Sequence, residues 1–336
     1  MIELDATTAP AYLEARLGLP ASCLRVTELG GGVSNTVLLV EAPERRFVVK
    51  QSLAKLRVEE DWFSDRTRIF HECLALQALA PHLPPGSVPE ILFEDRENFL
   101  CAMSAAPAGA RAWKELLLAG VIREETAVRV GRMLAAILRA GRGALHSTDG
   151  AGQPFLEGRA VFDQLRLDPY YRFTGSRHPD LAGFFAGLVD ESSERCYSLV
   201  HGDWSPKNFL VDGESVMAID FEVIHFGDPS FDAAFLLNHF LLKSFYRPQW
   251  VPQYRTAALA FWRTLTADLP GDAGWYEAAT LRHLGGLLLA RIDGKSPAEY
   301  IRTGALKDSV RRFARALILD PPGSVPEVFD RIPAWN

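Results

Sequence analysis

Cysteine is scarce in this chain, and its scarcity limits what the protein can be. The 336 residues include four cysteines, none of them in a Cys-X-X-Cys pair. This spacing excludes a zinc site built on paired cysteines and gives no disulfide framework. Mostly apolar neighbours predict that the four are buried free thiols in a reducing compartment: Cys23, Cys73, Cys101 and Cys196.

Long hydrophobic runs and a surplus of positive charge are also absent. No stretch approaches the roughly 18 uncharged apolar residues that span a bilayer, and the acidic residues 1–5 do not resemble a secretion signal. The 36 Lys and Arg against 42 Asp and Glu give a net charge of -6, which repels a nucleic-acid backbone. We therefore expect a cytoplasmic protein that binds neither membranes nor nucleic acids.

Length and composition favour a globular protein of two lobes. The chain is 48% hydrophobic and 23% charged, as in ordinary folded proteins, and it is long enough for two domains. Residues 104–109, Ser-Ala-Ala-Pro-Ala-Gly, are small and unfavourable to a helix, so they are the best candidate for a linker. We expect an N-terminal lobe over residues 1–103, a hinge at 104–109 and a C-terminal lobe over 110–336.

The two lobes differ in their hydrophobic pattern, which predicts an α+β fold. Short runs rich in Val, Ile, Leu and Phe predict a small antiparallel sheet in the first lobe, with one helix at 64–82. The strand runs lie at 24–29, 36–40, 47–50, 89–93 and 99–103. Helical periodicity dominates the second lobe, at 113–119, 126–145, 181–194, 231–245, 254–265, 275–292 and 297–319.

An island of short strands inside the helical lobe, residues 197–221, carries the candidate chemistry. Asp203 precedes Asn208 by five positions and Asp220-Phe221 follows later, which is the spacing of a kinase catalytic loop. Phosphoryl transfer needs one carboxylate to accept a proton, a role for Asp203. It also needs oxygen ligands for Mg²⁺, a role for Asn208 and Asp220. For any one of these residues, a polar hairpin that caps turns is the simpler alternative.

The first lobe holds the other groups that such an enzyme requires, in the required order. Gly30, Gly31 and Gly32 lie between the first two strand runs, where a backbone without Cβ atoms can approach phosphates. Lys50 ends the third strand and Glu72 lies on the helix. A hairpin turn, an edge lysine and a surface charge are the ordinary alternatives, but order and element type match the kinase pattern for all three features.

The motifs of the chain resemble those of the aminoglycoside phosphotransferase and choline kinase family. They are HGDWSPKNFLV at 201–211, AIDFE at 218–222 and GDPSFD at 227–232, and the resemblance covers roughly residues 28–239. It implies a two-lobed, protein-kinase-like fold, ATP and Mg²⁺ as cofactors, and a hydroxyl acceptor. Segments at 50–53, 65–69 and 231–237 also resemble methylthioribose kinases, which favours a sugar hydroxyl.

The same resemblance implies roles for individual residues. Asp203 is the catalytic base, and Asp232 is a buried brace for its loop. Asn208 and Asp220 bind Mg²⁺. The nucleotide contacts come from the first lobe and the hinge: Gly30, Gly31, Gly32, Lys50, Glu72, Met103 and Ser104.

Four residues depart from the family pattern without removing a required ligand. Ser205 and Glu222 replace the usual residues, and so do Trp204 and Lys207. Trp204 and Lys207 either shape an acceptor pocket or are solvated surface residues, and a further alternative for Lys207 is to offset charge on the transferred phosphoryl group.

The acceptor is expected to be a small molecule. Only residues 223–227 separate Glu222 from Asp228, and no Ala-Pro-Glu motif follows, so a peptide platform has no room. A sugar, an amino alcohol or an aminoglycoside-like molecule fits, with ATP as the expected donor and GTP as the alternative that the sequence leaves open. The alternatives are a catalytically inactive pseudokinase that binds nucleotide and regulates a partner, and a protein kinase. The acceptor's identity and the oligomeric state stay open.

Overall fold

The computed structural model describes residues 2–30, 34–57, 63–146 and 154–333. It begins with helix α1 (Ala9–Leu17), which the hydrophobic pattern did not predict. Gly18, with φ 68°, ends this helix in the left-handed conformation that glycine adopts without strain.

A five-stranded antiparallel sheet and one helix follow α1. The elements are β1 (Arg25–Glu28), β2 (Asn35–Ala42), β3 (Arg45–Ser52), α2 (Arg68–Leu79), β4 (Ile91–Asp95) and β5 (Leu100–Ser104). The strand order is β1-β2-β3-β5-β4, so β3 is central. This confirms the predicted small sheet with its helix. Helix α2 begins later than predicted, since the Asp65 side chain accepts the Thr67 amide in a turn just before it.

The alternation of β3 decides which way its side chains point. Phe47 and Val49 are buried in a core cluster with Leu13 of α1. Because successive side chains of a strand face opposite sides of the sheet, Lys50 lies on the other face, towards α2. Its neighbour across the strands, Cys101, belongs to the main core on that face.

The remainder of the chain is mainly helical, as predicted. In chain order it contains β6 (Arg111–Ala112), α3 (Trp113–Leu118), α4 (Glu124–Arg142), α5 (Pro154–Phe162), a π-helical segment (Asp163–Arg172), α6 (Phe173–Arg177), α7 (Ala182–Glu194), β7 (Ser198–Val200), β8 (Phe209–Asp212), β9 (Ser215–Ala218), β10 (His225–Gly227), α8 (Ser230–Tyr246), α9 (Val251–Thr266), α10 (Tyr276–Asp293), α11 (Gly304–Leu319) and α12 (Val325–Asp330). Together with the sheet, these elements form a two-lobed, protein-kinase-like fold.

Helix α8 lies at the centre of the helical lobe. Residues 230–245 of this mostly apolar helix are all buried, including the ionisable Asp232 and Lys243. Helix α4 approaches the short strand β7 closely, because a Cβ on Gly141 would lie 2.4 Å from the Leu199 nitrogen. Strand β10 pairs antiparallel with β7, and β8 pairs with β6 and β9.

Some expectations were wrong in detail. The helix predicted from residue 297 begins at Gly304, because the Thr303 hydroxyl accepts the Leu306 amide and caps it there. The strand predicted to end at Asp220 ends at Ala218. Cys73 and Cys101 are buried free thiols, as predicted. Cys23 and Cys196 are exposed, so the prediction of burial from their apolar sequence neighbours was wrong. No helix in the described ranges is long and apolar enough to cross a membrane.

Candidate active site

The loop that follows β7, residues 201–208, is held in place by the first turn of α8. Asp232 accepts the His201 amide at 2.6 Å and the Gly202 amide at 2.9 Å. Gly202 has φ 77°, and a Cβ there would lie 2.8 Å from Val223 Cγ1, so the turn requires glycine. Burial raises the pKa of Asp232 to about 7, although both amides favour its charged form.

His201 joins the loop to the segment that carries Asp220. Its Nδ1 accepts the Asp203 amide at 3.1 Å, and its Nε2 lies 3.2 Å from the Ile219 carbonyl oxygen. These partners require a proton on Nε2 and none on Nδ1. Burial lowers the pKa of His201 to about 4, so the ring is neutral at physiological pH. The histidine therefore positions the two acidic residues on either side of it.

Asp203 is buried, and one of its oxygens contacts two cations. Asp203 Oδ2 lies 2.9 Å from Arg166 Nη2 and 2.9 Å from Lys207 Nζ. Burial acts to raise the pKa of Asp203, but Lys207 and Arg166 outweigh it and hold that pKa well below its usual range. The carboxylate is ionised at neutral pH, and Oδ1 has no donor within the described ranges, so it can accept a hydrogen bond from a ligand.

Asn208 and Asp220 lie on two segments that a backbone hydrogen bond joins. The Asn208 Nδ2 donates to the Asp203 carbonyl oxygen at 2.9 Å, which fixes the amide orientation and leaves its Oδ1 without a described partner. The Ile219 amide donates to the Asn208 carbonyl at 3.0 Å and brings Asp220 alongside. A carboxylate and an amide oxygen are hard ligands that suit Mg²⁺, which commonly takes few protein ligands and completes its shell with phosphate and water. These residues therefore fit a magnesium ion.

Lys50 connects the sheet to the helical lobe through two carboxylates. Its Nζ lies 2.7 Å from Glu72 Oε2 and 2.5 Å from Asp220 Oδ1. The other oxygen of Glu72 accepts the Phe221 amide at 3.0 Å. Burial acts to lower the pKa of Lys50, but Asp220, Glu72 and Glu222 together raise it well above its ordinary value. Three elements thus meet at one amine that stays charged.

Glu222, which departs from the family pattern, is a second connection between the lobes. Its carboxylate accepts hydrogen bonds from the Ser34 hydroxyl at 2.6 Å and from the Asn35 side-chain Nδ2 at 2.7 Å. The Arg68 Nε donates to it at 3.2 Å. Arg68 is fully buried and also donates to the Leu53 carbonyl at 2.9 Å. The residues that follow the glycine segment are thereby tied to the segment that carries Asp220.

The other nucleotide contacts predicted from the sequence belong to the glycine segment and to the end of β5. Gly30 is exposed, with nothing within 4 Å of a Cβ built there, while Gly31 and Gly32 lie outside the described residues. Met103 is buried in the main core. The Ser104 hydroxyl accepts the Glu90 amide at 2.9 Å, which holds the end of β5 against the start of β4. Their contact with a nucleotide stays a prediction.

Sequence reasoning missed Arg166 and Arg68. Arg166 lies on the π-helical segment, which contains Pro169 and breaks the helical pattern that would have revealed it. Arg68 lies in the segment 65–69 that resembles methylthioribose kinases, but its buried ion pair with Glu222 was not predicted. Arg166 lies between Leu165 and Leu167, but apolar neighbours in sequence do not distinguish a buried charge from an exposed one in a helical segment.

A surface groove of about 700 Å³ lies elsewhere, between α4 and α9. Its lining includes Arg132, Arg139 and Arg263 but none of the residues above. The converging side chains, and not this groove, define the candidate site.

A sheet lobe and a helical lobe meet here at a lysine, two carboxylates and an asparagine, as expected of a kinase-like fold. A profile of the phosphotransferase enzyme family matches residues 25–275, and the chain belongs to this family. Among solved structures, a choline/ethanolamine kinase family protein from Mesorhizobium loti is similar with a TM-score of 0.57 at 18% identity, covering 97% of this chain and 99% of that one. A spectinomycin phosphotransferase in complex with ADP and spectinomycin gives 0.54 at 12% identity, covering 98% and 99%. Both likenesses show the fold.

Among curated proteins, methylthioribose kinase 2 from rice (Oryza sativa subsp. japonica) is 27% identical over 271 residues. The match covers 72% of this chain and 63% of that protein. The chain thus spans less than two thirds of the length of this relative.

Proposed function

We propose that the protein transfers the γ-phosphate of ATP to a hydroxyl of a small molecule. One observation carries this proposal: the Lys50 amine lies between Glu72 and Asp220, 2.7 and 2.5 Å away, although these residues come from β3, α2 and the segment after β9. A buried amine held by two carboxylates beside an unpaired amide oxygen is the arrangement that binds a metal-bound triphosphate.

The nucleotide would bind on the Lys50 side of the site. In this proposal the Lys50 ammonium contacts its phosphates, and Glu72 holds the lysine side chain in position. The backbone at Gly30, Gly31 and Gly32 covers the phosphates, and the base lies against the hinge near Met103 and Ser104. The related spectinomycin phosphotransferase, solved with ADP, supports a nucleoside phosphate as ligand.

Asn208 Oδ1 and Asp220 would hold Mg²⁺. Bound there, the ion neutralises negative charge on the phosphates as the transition state forms. The other proposed functions in the site belong to the protein's own side chains and backbone.

Asp203 would act as the catalytic base. The acceptor hydroxyl donates a hydrogen bond to Asp203, and its oxygen forms a bond to the γ-phosphorus as the bond to the bridging oxygen of ADP breaks. The proton passes to the Asp203 carboxylate, and ADP leaves with the bond's electrons. Arg166 and Lys207 make Asp203 a weak base, which suits a loose transition state in which the proton moves late.

The acceptor class follows from the relatives and the short chain after Glu222. The rice relative is a methylthioribose kinase, and the fold neighbours include a spectinomycin phosphotransferase. Only residues 223–227 precede Asp228, so the chain has no segment here on which to align a peptide. A sugar, an amino alcohol or an aminoglycoside-like molecule therefore remains the proposed acceptor.

The test is ATP consumption with Mg²⁺ across a panel of sugars, amino alcohols, aminoglycosides and a protein substrate, with the phosphorylated product verified by mass spectrometry. We expect ADP formation that depends on one class of small hydroxyl compound. Phosphorylation of protein alone would identify a protein kinase. Nucleotide binding without ADP formation with any compound of the panel would contradict the proposal and favour a pseudokinase.

A further inference from the structure

Two buried cations of the helical lobe lack an acidic partner. Lys243 lies on α8 and is fully buried, and Arg291 lies on α10 and is 9% exposed. Across the described parts of the chain, neither side chain has a carboxylate within 4 Å. We refer to these two residues with His239, Tyr170 and Tyr300 as the Lys243 cluster.

The contacts of both cations are with neutral groups. Among the described residues, the Lys243 Nζ has one hydrogen bond, to the His239 carbonyl oxygen at 3.4 Å, and it lies 5.5 Å from the centre of the Tyr300 ring. The Arg291 Nη1 donates to the Tyr170 hydroxyl at 3.2 Å and the Ser296 hydroxyl at 2.9 Å. A buried cation without an anion is unfavourable, so an anion bound beside Lys243 and Arg291 would stabilise their charged forms.

Further polar atoms of the cluster also lack partners. The Arg291 Nε, the Tyr300 hydroxyl and the His239 Nδ1 are buried, and none has a hydrogen-bond partner in the described structure. Buried polar atoms are normally hydrogen-bonded, so three in one cluster indicate a place for a polar ligand. The neighbouring cation Lys114 does not add to the surplus, because Glu299 already pairs with it.

The Lys243 cluster is adjacent to the proposed catalytic base. The Tyr170 ring lies 6.0 Å from the guanidinium carbon of Arg166 and 5.9 Å from that of Arg291. Arg166 in turn contacts Asp203 at 2.9 Å. His239 stacks edge-on against Phe235, 5.5 Å between ring centres, and Phe235 lies 6.0 Å from Arg166. Tyr170 and Phe235 thus link the Lys243 cluster through Arg166 to Asp203.

We propose that Lys243 and Arg291 bind an anionic group of the acceptor, a carboxylate or a phosphate, while its hydroxyl faces Asp203. This inference rests on the proposed function and narrows its substrate class to hydroxy acids or phosphorylated hydroxy compounds. The positive charges of Lys243 and Arg291 are local, so they can attract an anionic group although the whole chain has a net charge of -6.

The charges around Lys243 agree with this assignment. Burial first, then Lys114 and Arg291, lower the pKa of Lys243 to about 7, while Glu299 acts in the opposite direction. An anion placed beside the amine would raise that pKa again. Binding of an anionic acceptor should therefore be accompanied by proton uptake at pH 8.

The experiment compares acceptors that share a skeleton and differ in charge. The neutral, carboxylate and phosphate arms are D-ribose, D-ribonate and D-ribose 5-phosphate, with glycerol, D-glycerate and glycerol 3-phosphate as a second series. Choline and kanamycin provide cationic arms. We expect ADP formation with at least one anionic compound at a kcat/KM at least tenfold above that of its neutral counterpart. The arm that responds distinguishes a carboxylate from a phosphate.

Variants then locate the effect. Lys243→Met should raise the KM for the anionic acceptor about 30-fold or more, because it removes one partner of a buried charge pair. It should leave unchanged the Kd for a non-hydrolysable ATP analogue, which also shows that the variant is folded. Lys307→Met, on α11, removes the same charge outside the cluster and should have no effect. Calorimetry in two buffers at pH 8 should show proton uptake on acceptor binding by the wild type and none by Lys243→Met.

The outcomes separate this inference from the proposed function. Phosphorylation of neutral or cationic acceptors in preference to anionic ones would overturn the anionic subsite and leave the kinase activity standing. An equal rise in KM for Lys243→Met and Lys307→Met would also overturn it. ADP formation with no compound of the panel would contradict the proposed function itself, and this inference with it.

Discussion

The phosphate side and the acceptor side of the site are built in different ways. On the phosphate side, Lys50 and Asp220 lie at or near the ends of strands, and their contact measures 2.5 Å. On the acceptor side, Arg166 comes from a π-helical segment, and Lys243 and Arg291 lie within helices. Carboxylates outnumber cations on the first side, where Lys50 faces both Glu72 and Asp220, whereas cations outnumber carboxylates on the second. Under the proposed function, a ligand therefore supplies different groups to the two sides: phosphates with a metal ion to the first, and an anionic group to the second.

The largest effect is expected at Asp203, where the two sides meet. Asp203→Asn keeps the shape of the side chain but removes the proton acceptor, so kcat should fall about 10²- to 10⁴-fold. Steady-state ADP release in the presence of a productive acceptor measures the loss. Asp212→Asn, an exposed residue at the end of β8, is the matched control and should keep wild-type activity. Near-normal turnover by Asp203→Asn would remove this residue from the base role.

A smaller effect, confined to the acceptor side, is expected at Arg166. Arg166→Met removes a hydrogen-bonded cation from Asp203 and should lower kcat/KM for the acceptor about 10- to 100-fold. Since Arg166 helps to depress the pKa of Asp203, its loss should raise that pKa and move the acidic limb of the pH-rate profile to higher pH. A pH-rate profile provides this second readout.

The control for Arg166 lies on the same segment. Arg172→Met breaks an exposed pair with Asp163 and should change neither the rate nor the profile. A profile for Arg166→Met that coincides with the wild type would show that Arg166 does not act through Asp203.

The brace of the catalytic loop is expected to affect stability with a definite pH dependence. Burial raises the pKa of Asp232 from 3.8 to about 7, so the folded protein binds this proton more tightly than the unfolded chain. The stabilisation from this group is therefore full below pH 3.8 and is lost as the pH rises to about 7. Asp232→Asn should lower the free energy of unfolding by about 1 to 3 kcal/mol, since an amide can accept only one of the two backbone hydrogen bonds.

Urea denaturation at pH 5 and pH 8 measures this difference. The gap in unfolding free energy between the wild type and Asp232→Asn should shrink from the lower to the higher pH. Asp190→Asn, exposed on α7, should show no such trend. A gap that grows with pH would contradict the assignment.

The smallest effect is expected at Lys207, the second cation on Asp203. Its side chain is 46% exposed, so water and salt screen its charge. Lys207→Met should lower kcat about two- to fivefold, and salt should reduce the difference between the variant and the wild type. If Lys207→Met lowered kcat/KM for the acceptor as much as Arg166→Met does, solvent exposure would not explain a difference between these two contacts with Asp203.

Much of the fold and the phosphate side could be predicted from the sequence, because both depend on patterns among residues that are close together in the chain. The sheet with its helix and the helical C-terminal lobe were confirmed, because strand and helix patterns are read from neighbouring residues. Lys50, Asp203 and Asp220 each follow an apolar strand run, a position that a short pattern marks. The assigned roles of these residues stay predictions until variants are measured.

The acceptor side could not be predicted, because it is formed by the packing of residues that are far apart in the chain. Arg166 reaches Asp203 from 37 residues earlier in the chain, across a segment whose helix is widened around Pro169. Lys243 and Arg291 lie among apolar residues of helices, where sequence alone does not tell an exposed cation from a buried one. Arg291 was noted as a flanking arginine of its helix, which is more often surface charge. Only the packing of α8 against α10 shows that both cations are inside.

The central claim is that Asp220 serves the metal-bound nucleotide and Asp203 serves the acceptor. Calorimetric titration of a non-hydrolysable ATP analogue, with and without Mg²⁺, tests it on Asp203→Asn and Asp220→Ala side by side. The account predicts that Asp203→Asn binds the analogue with the affinity and the Mg²⁺ dependence of the wild type, whereas binding by Asp220→Ala no longer responds to Mg²⁺. Identical titrations for the two variants would contradict it.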